Sequence, residues 1–154
     1  IRMTNNFRLQ FANLADQLIL EEKIDKAVNV LDKCVEVMPA HNVPYDRLMM
    51  PIIEAYYRAG EDDKANALIT QVFDRYEEDF EYFMSADPEW ALQMQQEIQM
   101  AYAVLQRATS IVSRVFPQDT LKTDFKERFD KLDQAFDDKI QAMEMLKTRG
   151  RVKF

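Results

Sequence analysis

Between Trp90 and Val115 an apolar side chain recurs every three or four residues: Trp90, Met94, Ile98, Ala101, Leu105, Ala108, Val112 and Val115. Residues three and four apart share one face of a helix, so this spacing predicts a single long amphipathic helix of about seven turns. "ADPEW" marks its start, with Asp87 as N-cap, Pro88 at the first helical position and Glu89 in the first turn. Pro117 marks its end. A last helix opens near Asp119 and turns Leu121, Phe125, Phe129, Leu132, Phe136, Ile140 and Met143 inward, with a face of Lys, Asp, Glu and Arg opposite. The expectation over 87–149 is a pair of long antiparallel helices packed on each other and on the preceding elements. The same stripe could instead serve a partner.

Composition narrows the alternatives. Only two glycines (Gly60 and Gly150) and five prolines occur in 154 residues, too few turn formers for a many-stranded sheet. Nine methionines and abundant Ala, Leu, Gln, Glu and Lys favour helix. The expected class is all-α, as one helical domain over 1–154, read as a segment of a larger protein.

The amino-terminal half divides into two hairpins. Phe7, Phe11, Leu14 and Leu18, with Ala15 between them, mark a first helix that Thr4 or Asn5 caps. After "EEKID", Asp25 caps a second helix that points Ala27, Val30 or Leu31, Cys34 and Val37 inward and stops at Pro39. "AHNVP" connects this hairpin, 4–39, to a second over 44–85. There Leu48, Ile52, Ala55 and Tyr56 form a stripe that is kinked or divided at Pro51 and closed by Gly60. A fourth helix starts near Asp62, buries Ala65, Leu68, Ile69, Val72 and Phe73, and continues toward "YEEDFEYFM".

Ala27 and Ala65 both follow Asp-Lys, at a spacing of 38 residues. Small residues at such positions let the helices of a hairpin approach closely, while large ones fill the groove to the next hairpin. Phe11, Leu14, Ala15, Leu18, Ala27, Leu31, Cys34 and Pro39 fit the tetratricopeptide pattern. Met49, Ile52, Ile53, Tyr56, Gly60, Ala65, Ile69 and Val72 fit it less closely, with Ile53 where a small residue is expected and Glu77 where Pro is expected. The chain therefore resembles tetratricopeptide-like hairpins followed by two long antiparallel helices.

A second resemblance lies in "RMTNNFRLQFANLADQLI", "KAVNVLDKCVEVMP", "NVPYDRLMMPIIEAYYRAG" and "DRYEEDFEYFMSADPEW". These segments, from Arg2 to Trp90, resemble the C-terminal helical region of a family of bacterial multispanning membrane proteins related to protein O-mannosyltransferases. The resemblance implies a soluble domain, on the periplasmic side of the inner membrane, that follows a glycosyltransferase-like membrane portion holding the catalytic acids. No position here matches those acids.

The remaining residues point away from catalysis. The formal net charge of −7 argues against nucleic acid. No apolar run of spanning length occurs. The basic tail "KTRGRVKF" could touch an anionic surface, although a frayed end needs no such role. One cysteine, Cys34, excludes an intramolecular disulfide and a Cys-rich zinc site; it reads as a small buried residue. His41, the one histidine, lies in the connector and reads as a turn residue. "EDD" and "EED" read as helix-start charge and a solvated face. Asp119-Thr120-Leu121 resembles the acceptor triplet of a periplasmic O-glycosylation system, and also reads as a helix cap. Neither catalytic residues, cofactor nor metal are expected.

The expected partner is a protein or peptide, including the membrane portion of the same parent chain. Its candidate surface is the face built by the first helix of each hairpin. Leu9, Ala12, Asp16, Ile19 and Leu20 lie there, with Arg47, Met50, Glu54, Tyr57 and Arg58. Asp16, Ile19, Arg47, Met50, Glu54, Tyr57 and Arg58 are the leading candidates. Carboxylate clamps of tetratricopeptide proteins use Lys and Asn at such positions. Asp16 and Glu54 disfavour a C-terminal carboxylate, whereas Arg47, Tyr57 and Arg58 suit a polar segment or a sugar.

Overall fold

A computed structural model of the chain describes residues 2–115 and 120–151, with side chains for 7–115 and 120–148. Pro117, Asp119 and the end of the basic tail lie outside the described residues, and with them the helix stop, the helix cap and the triplet expected there. The described residues form seven α-helices: α1 (Arg2–Leu20), α2 (Ile24–Val37), α3 (Met50–Arg58), α4 (Asp62–Ser85), α5 (Pro88–Gln93), α6 (Gln95–Val115) and α7 (Thr120–Arg151). A 3-10 turn, Arg47–Met49, precedes α3. No strand occurs among the described residues, and the protein is all-α. The chain divides into two compact units, Ile1–Val72 and Phe73–Phe154.

In the first unit, α1 packs against both α2 and α3. Its buried face is Arg8, Ala12 and Ala15, whereas Phe7 is 58% and Leu14 50% exposed. Of the expected stripe, Phe7 and Leu14 therefore lie on the outer edge, Phe11 and Leu18 are half-buried, and Ala15 is in the core as expected. Ala12 and Ala15 let the neighbouring backbones approach, and Arg8 fills the end of that face. Thr4 and Asn5 lie within α1 and do not cap it, since the helix already runs from Arg2. Asp25 likewise lies in the first turn of α2; the N-cap is Lys23, which makes no side-chain cap bond.

The turns after α1 and α3 share one geometry, 38 residues apart. At the end of α1, Lys23 N–H donates to Leu18 O (2.8 Å) and Glu22 N–H to Ile19 O (3.0 Å). At the end of α3, Glu61 N–H donates to Tyr56 O (3.0 Å) and Gly60 N–H to Tyr57 O (3.1 Å). Both are Schellman closures, which need a left-handed residue just past the helix. Glu22 (φ 59°) and Gly60 (φ 80°) supply it. Burial recurs at the same spacing: Ala27 with Ala65, Leu31 with Ile69, and Cys34 with Val72 are all in the core.

Pro51 sits in the first turn of α3, where its missing N–H has no helical partner to lose. The element after Pro44 is thus two-part, a 3-10 turn and then a helix. Asp46 caps the 3-10 turn by accepting from Leu48 N–H at 3.0 Å. Met50, Ile52, Ile53, Ala55 and Tyr56 are all buried, so α3 is covered on most of its circumference.

The second unit is built on the carboxyl-terminal half of α4 with α5, α6 and α7. Phe80, Tyr102, Phe129 and Phe136 form a chain of ring contacts, with Tyr102 stacked on Phe136 at 4.2 Å. Phe73 and Phe125 meet at 4.3 Å. The expected long helix from Trp90 is two helices, broken at Met94 (φ −102°, ψ 20°), whose N–H donates to Ala91 O. Asp87 does cap the first of them, accepting from Trp90 N–H at 2.9 Å.

Candidate interaction surface

The face expected from the hairpin alignment is partly assembled. Asp16 of α1 and Arg58 of α3 form an ion pair, which ties these two helices together. Tyr57, half-buried, donates its hydroxyl to Asn66 Oδ1 at 2.7 Å and so binds α3 to α4. Ile19 and Glu54 are half-buried, and Arg47 is exposed on the 3-10 turn. Met50 is different: it is 1% exposed and belongs to the core, not to the surface. The hairpin alignment placed it one turn before Glu54, on the face expected to stay open. In the fold α3 is covered on most of its circumference, and Met50 lies on the covered side one turn before the buried Ile53.

Two polar clusters of the first unit were not legible in the sequence. Arg8 is fully buried and donates through Nη2 to Val43 O (2.7 Å) and through Nη1 to Pro44 O (3.0 Å). A longer contact of 3.4 Å reaches Asp46 Oδ1, and the guanidinium lies 5.4 Å from the Tyr45 ring centre. Arg8 therefore anchors the connector between the hairpins to α1. Its Nε is buried without a partner among the described residues.

In the other cluster, Asp32 of α2 accepts from Tyr56 Oη (2.8 Å) and from Lys64 Nζ (2.8 and 2.9 Å), joining α2, α3 and α4. Burial first, and the Asp32 carboxylate second, push the Tyr56 hydroxyl well above the usual phenol range. The Asp32 bond raises Lys64 as well. Both groups keep their protons at neutral pH, and their bonds to Asp32 clasp three helices together.

Cys34 is buried, and desolvation pushes its thiol up to about 11, against the opposing pull of Arg8. A thiol so placed is a poor nucleophile. His41 is exposed in the turn after Pro39.

In the second unit, Arg128 of α7 donates to Glu77, to Asp74 (2.6 Å) and to Asp124 (3.2 Å), and lies over Phe73 at 4.6 Å. Tyr102 donates to Asp133 at 2.5 Å; that bond, then burial, pushes the phenol up to about 12. A hollow of about 520 Å³ is lined by Asp87, Pro88, Glu89, Ala142, Met145 and Leu146, and its walls are mainly apolar. Among the described residues no group of three or more His, Cys, Asp or Glu is arranged to hold a metal ion. No described helix is long and apolar enough to cross a membrane. Comparison with protein-family models, with curated proteins and with solved structures gives no match to this chain.

Proposed function

We propose that this chain is a non-catalytic interaction or positioning domain, set at the C-terminus of a membrane glycosyltransferase-like protein and facing the periplasm. The Asp16–Arg58 pair is the observation that carries the interaction reading. It joins α1 to α3, so that Asp16 and Ile19 of one and Glu54, Tyr57 and Arg58 of the other offer one extended face. The shared turn geometry and the buried Ala27 and Ala65 support a tetratricopeptide-like stack, an architecture that binds through such faces. The placement beside a glycosyltransferase-like membrane portion rests on the resemblance of Arg2 to Trp90. The polar clusters of Arg8 and Asp32 join helices and the connector to one another, a structural use of their charges. The full-length gene tests the placement: a multispanning segment upstream of Ile1 is expected, and its absence contradicts it.

The second reading is a free-standing scaffold for a peptide or protein. The outward edge of α1, where Phe7 and Leu14 are exposed, favours it, because an apolar partner would cover them. Peptide capture that is lost in Leu14→Glu is then expected, and capture unchanged by it contradicts this reading.

A further inference from the structure

No lysine or arginine occurs between Arg75 and Arg107, whereas Glu77, Glu78, Asp79, Glu81, Asp87 and Glu89 fall in the first half of that stretch. Glu77 holds Arg128 and Asp87 caps Trp90, which leaves Glu78, Asp79, Glu81 and Glu89 exposed along the end of α4 and the start of α5. Among these carboxylates stands an aromatic cluster. Tyr82 is 64% exposed, and its ring meets Trp90 edge to face at 5.7 Å and Phe83 at 6.1 Å. Phe83 and Trp90 stack at 6.2 Å behind it. Glu78 and Asp79 precede Tyr82 by four and three residues, so both lie one helical turn from its ring.

We infer that this surface docks an arginine-bearing peptide segment of a partner protein. Large exposed aromatics are costly to leave in water and are enriched where proteins bind. Arg75 lies one turn before Glu78 and Asp79, Arg128 is held by Glu77 and Lys139 by Ala86 O. Carboxylates still outnumber cations around the rings, and this excess favours a cationic partner over nucleic acid and anionic lipid. Arginine fits better than lysine, because its planar guanidinium stacks on a ring while its N–H groups pair with a carboxylate alongside. Tyr82 with Glu78 and Asp79 provides both surfaces. The inference does not rest on the face formed by α1 and α3.

Trp90 is the only tryptophan, so its fluorescence reports on this cluster without a label. The 154-residue chain is titrated with a peptide of alternating arginine and glycine, and with the same peptide carrying lysine. The arginine peptide should shift the Trp90 emission and bind at least threefold more tightly than the lysine peptide. Tyr82→Ala and Tyr82→Leu should each weaken it at least fivefold with the helical circular dichroism unchanged, and Glu78→Gln with Asp79→Asn should weaken it further. Equal affinity for the two peptides, a static Trp90 emission at saturation, or binding unaffected in both Tyr82 variants overturns the inference.

Discussion

Replacing Arg8 with methionine asks how much a buried guanidinium contributes when it is held mainly by backbone carbonyls. The side chain is 0% exposed and makes two good bonds, to Val43 O at 2.7 Å and Pro44 O at 3.0 Å. Bonds from a charged donor are each worth about 1.5–3 kcal/mol. Against them stand the several kcal/mol needed to bury the charge, and an Nε without a partner. Methionine keeps much of the aliphatic volume and removes both the bonds and the burial cost, so a net loss of about 2 kcal/mol is expected. Lysine should be worse, at about 3 kcal/mol, because it keeps a more strongly hydrated charge and lacks the fork that reaches two carbonyls. Urea unfolding followed by far-ultraviolet circular dichroism measures both. With a slope of about 2 kcal/mol per molar, the midpoint should fall by about 1 M for Arg8→Met and further for Arg8→Lys. A methionine variant as stable as the parent, or a lysine variant more stable than the methionine one, refutes the reasoning.

The paired turns make a reciprocal prediction. Glu22→Gly should stabilise by about 1 kcal/mol because it relieves a left-handed non-glycine residue, and Gly60→Ala should cost about as much although nothing lies within 4 Å of the added Cβ; thermal unfolding of both variants checks the signs. Tyr102 has a folded phenol raised to about 12 above an ordinary value near 10, so its contribution is full below about pH 10 and disappears as pH rises toward 12. Tyr102→Phe should therefore flatten the alkaline loss of stability in that window, and an unchanged pH profile contradicts the Asp133 bond. Cys34 should react with a thiol reagent at pH 8 at least 100-fold more slowly than free cysteine until urea unfolds the chain, since only the exposed thiolate attacks; fast reaction in the native state would place it at the surface.

The pattern of legibility follows from what each signal encodes. Caps and breakers act locally, so Asp87, Gly60 and the divided element at Pro51 could be read directly from residue type. Periodicity located the helices but misjudged the inner face of α1 by one residue. It found Ala15 and weighed the bulky Phe7 and Leu14, whereas close packing also selected Ala12 and the charged Arg8. Arg8 could not be read as buried, because the carbonyls that solvate it come from residues about 35 positions away. Nothing in Glu22 announces a left-handed conformation; the symmetry with Gly60 is visible only in the turn. At Met94 the apolar spacing runs on through the break, since a one-residue turn leaves the three/four count nearly intact. The alignment of the repeated segments placed Asp16 and Arg58 on one face, where they pair, and it missed Met50 because α3 is covered on more than one side.

The interaction reading is tested most directly with a photoreactive amino acid in place of the exposed Arg47 of the full-length protein, in cells. The account predicts a defined crosslink from this position, to the membrane portion of the parent chain or to one bound protein, that weakens when Asp16→Arg disrupts the pair with Arg58. Illumination that yields only the uncrosslinked chain would contradict it.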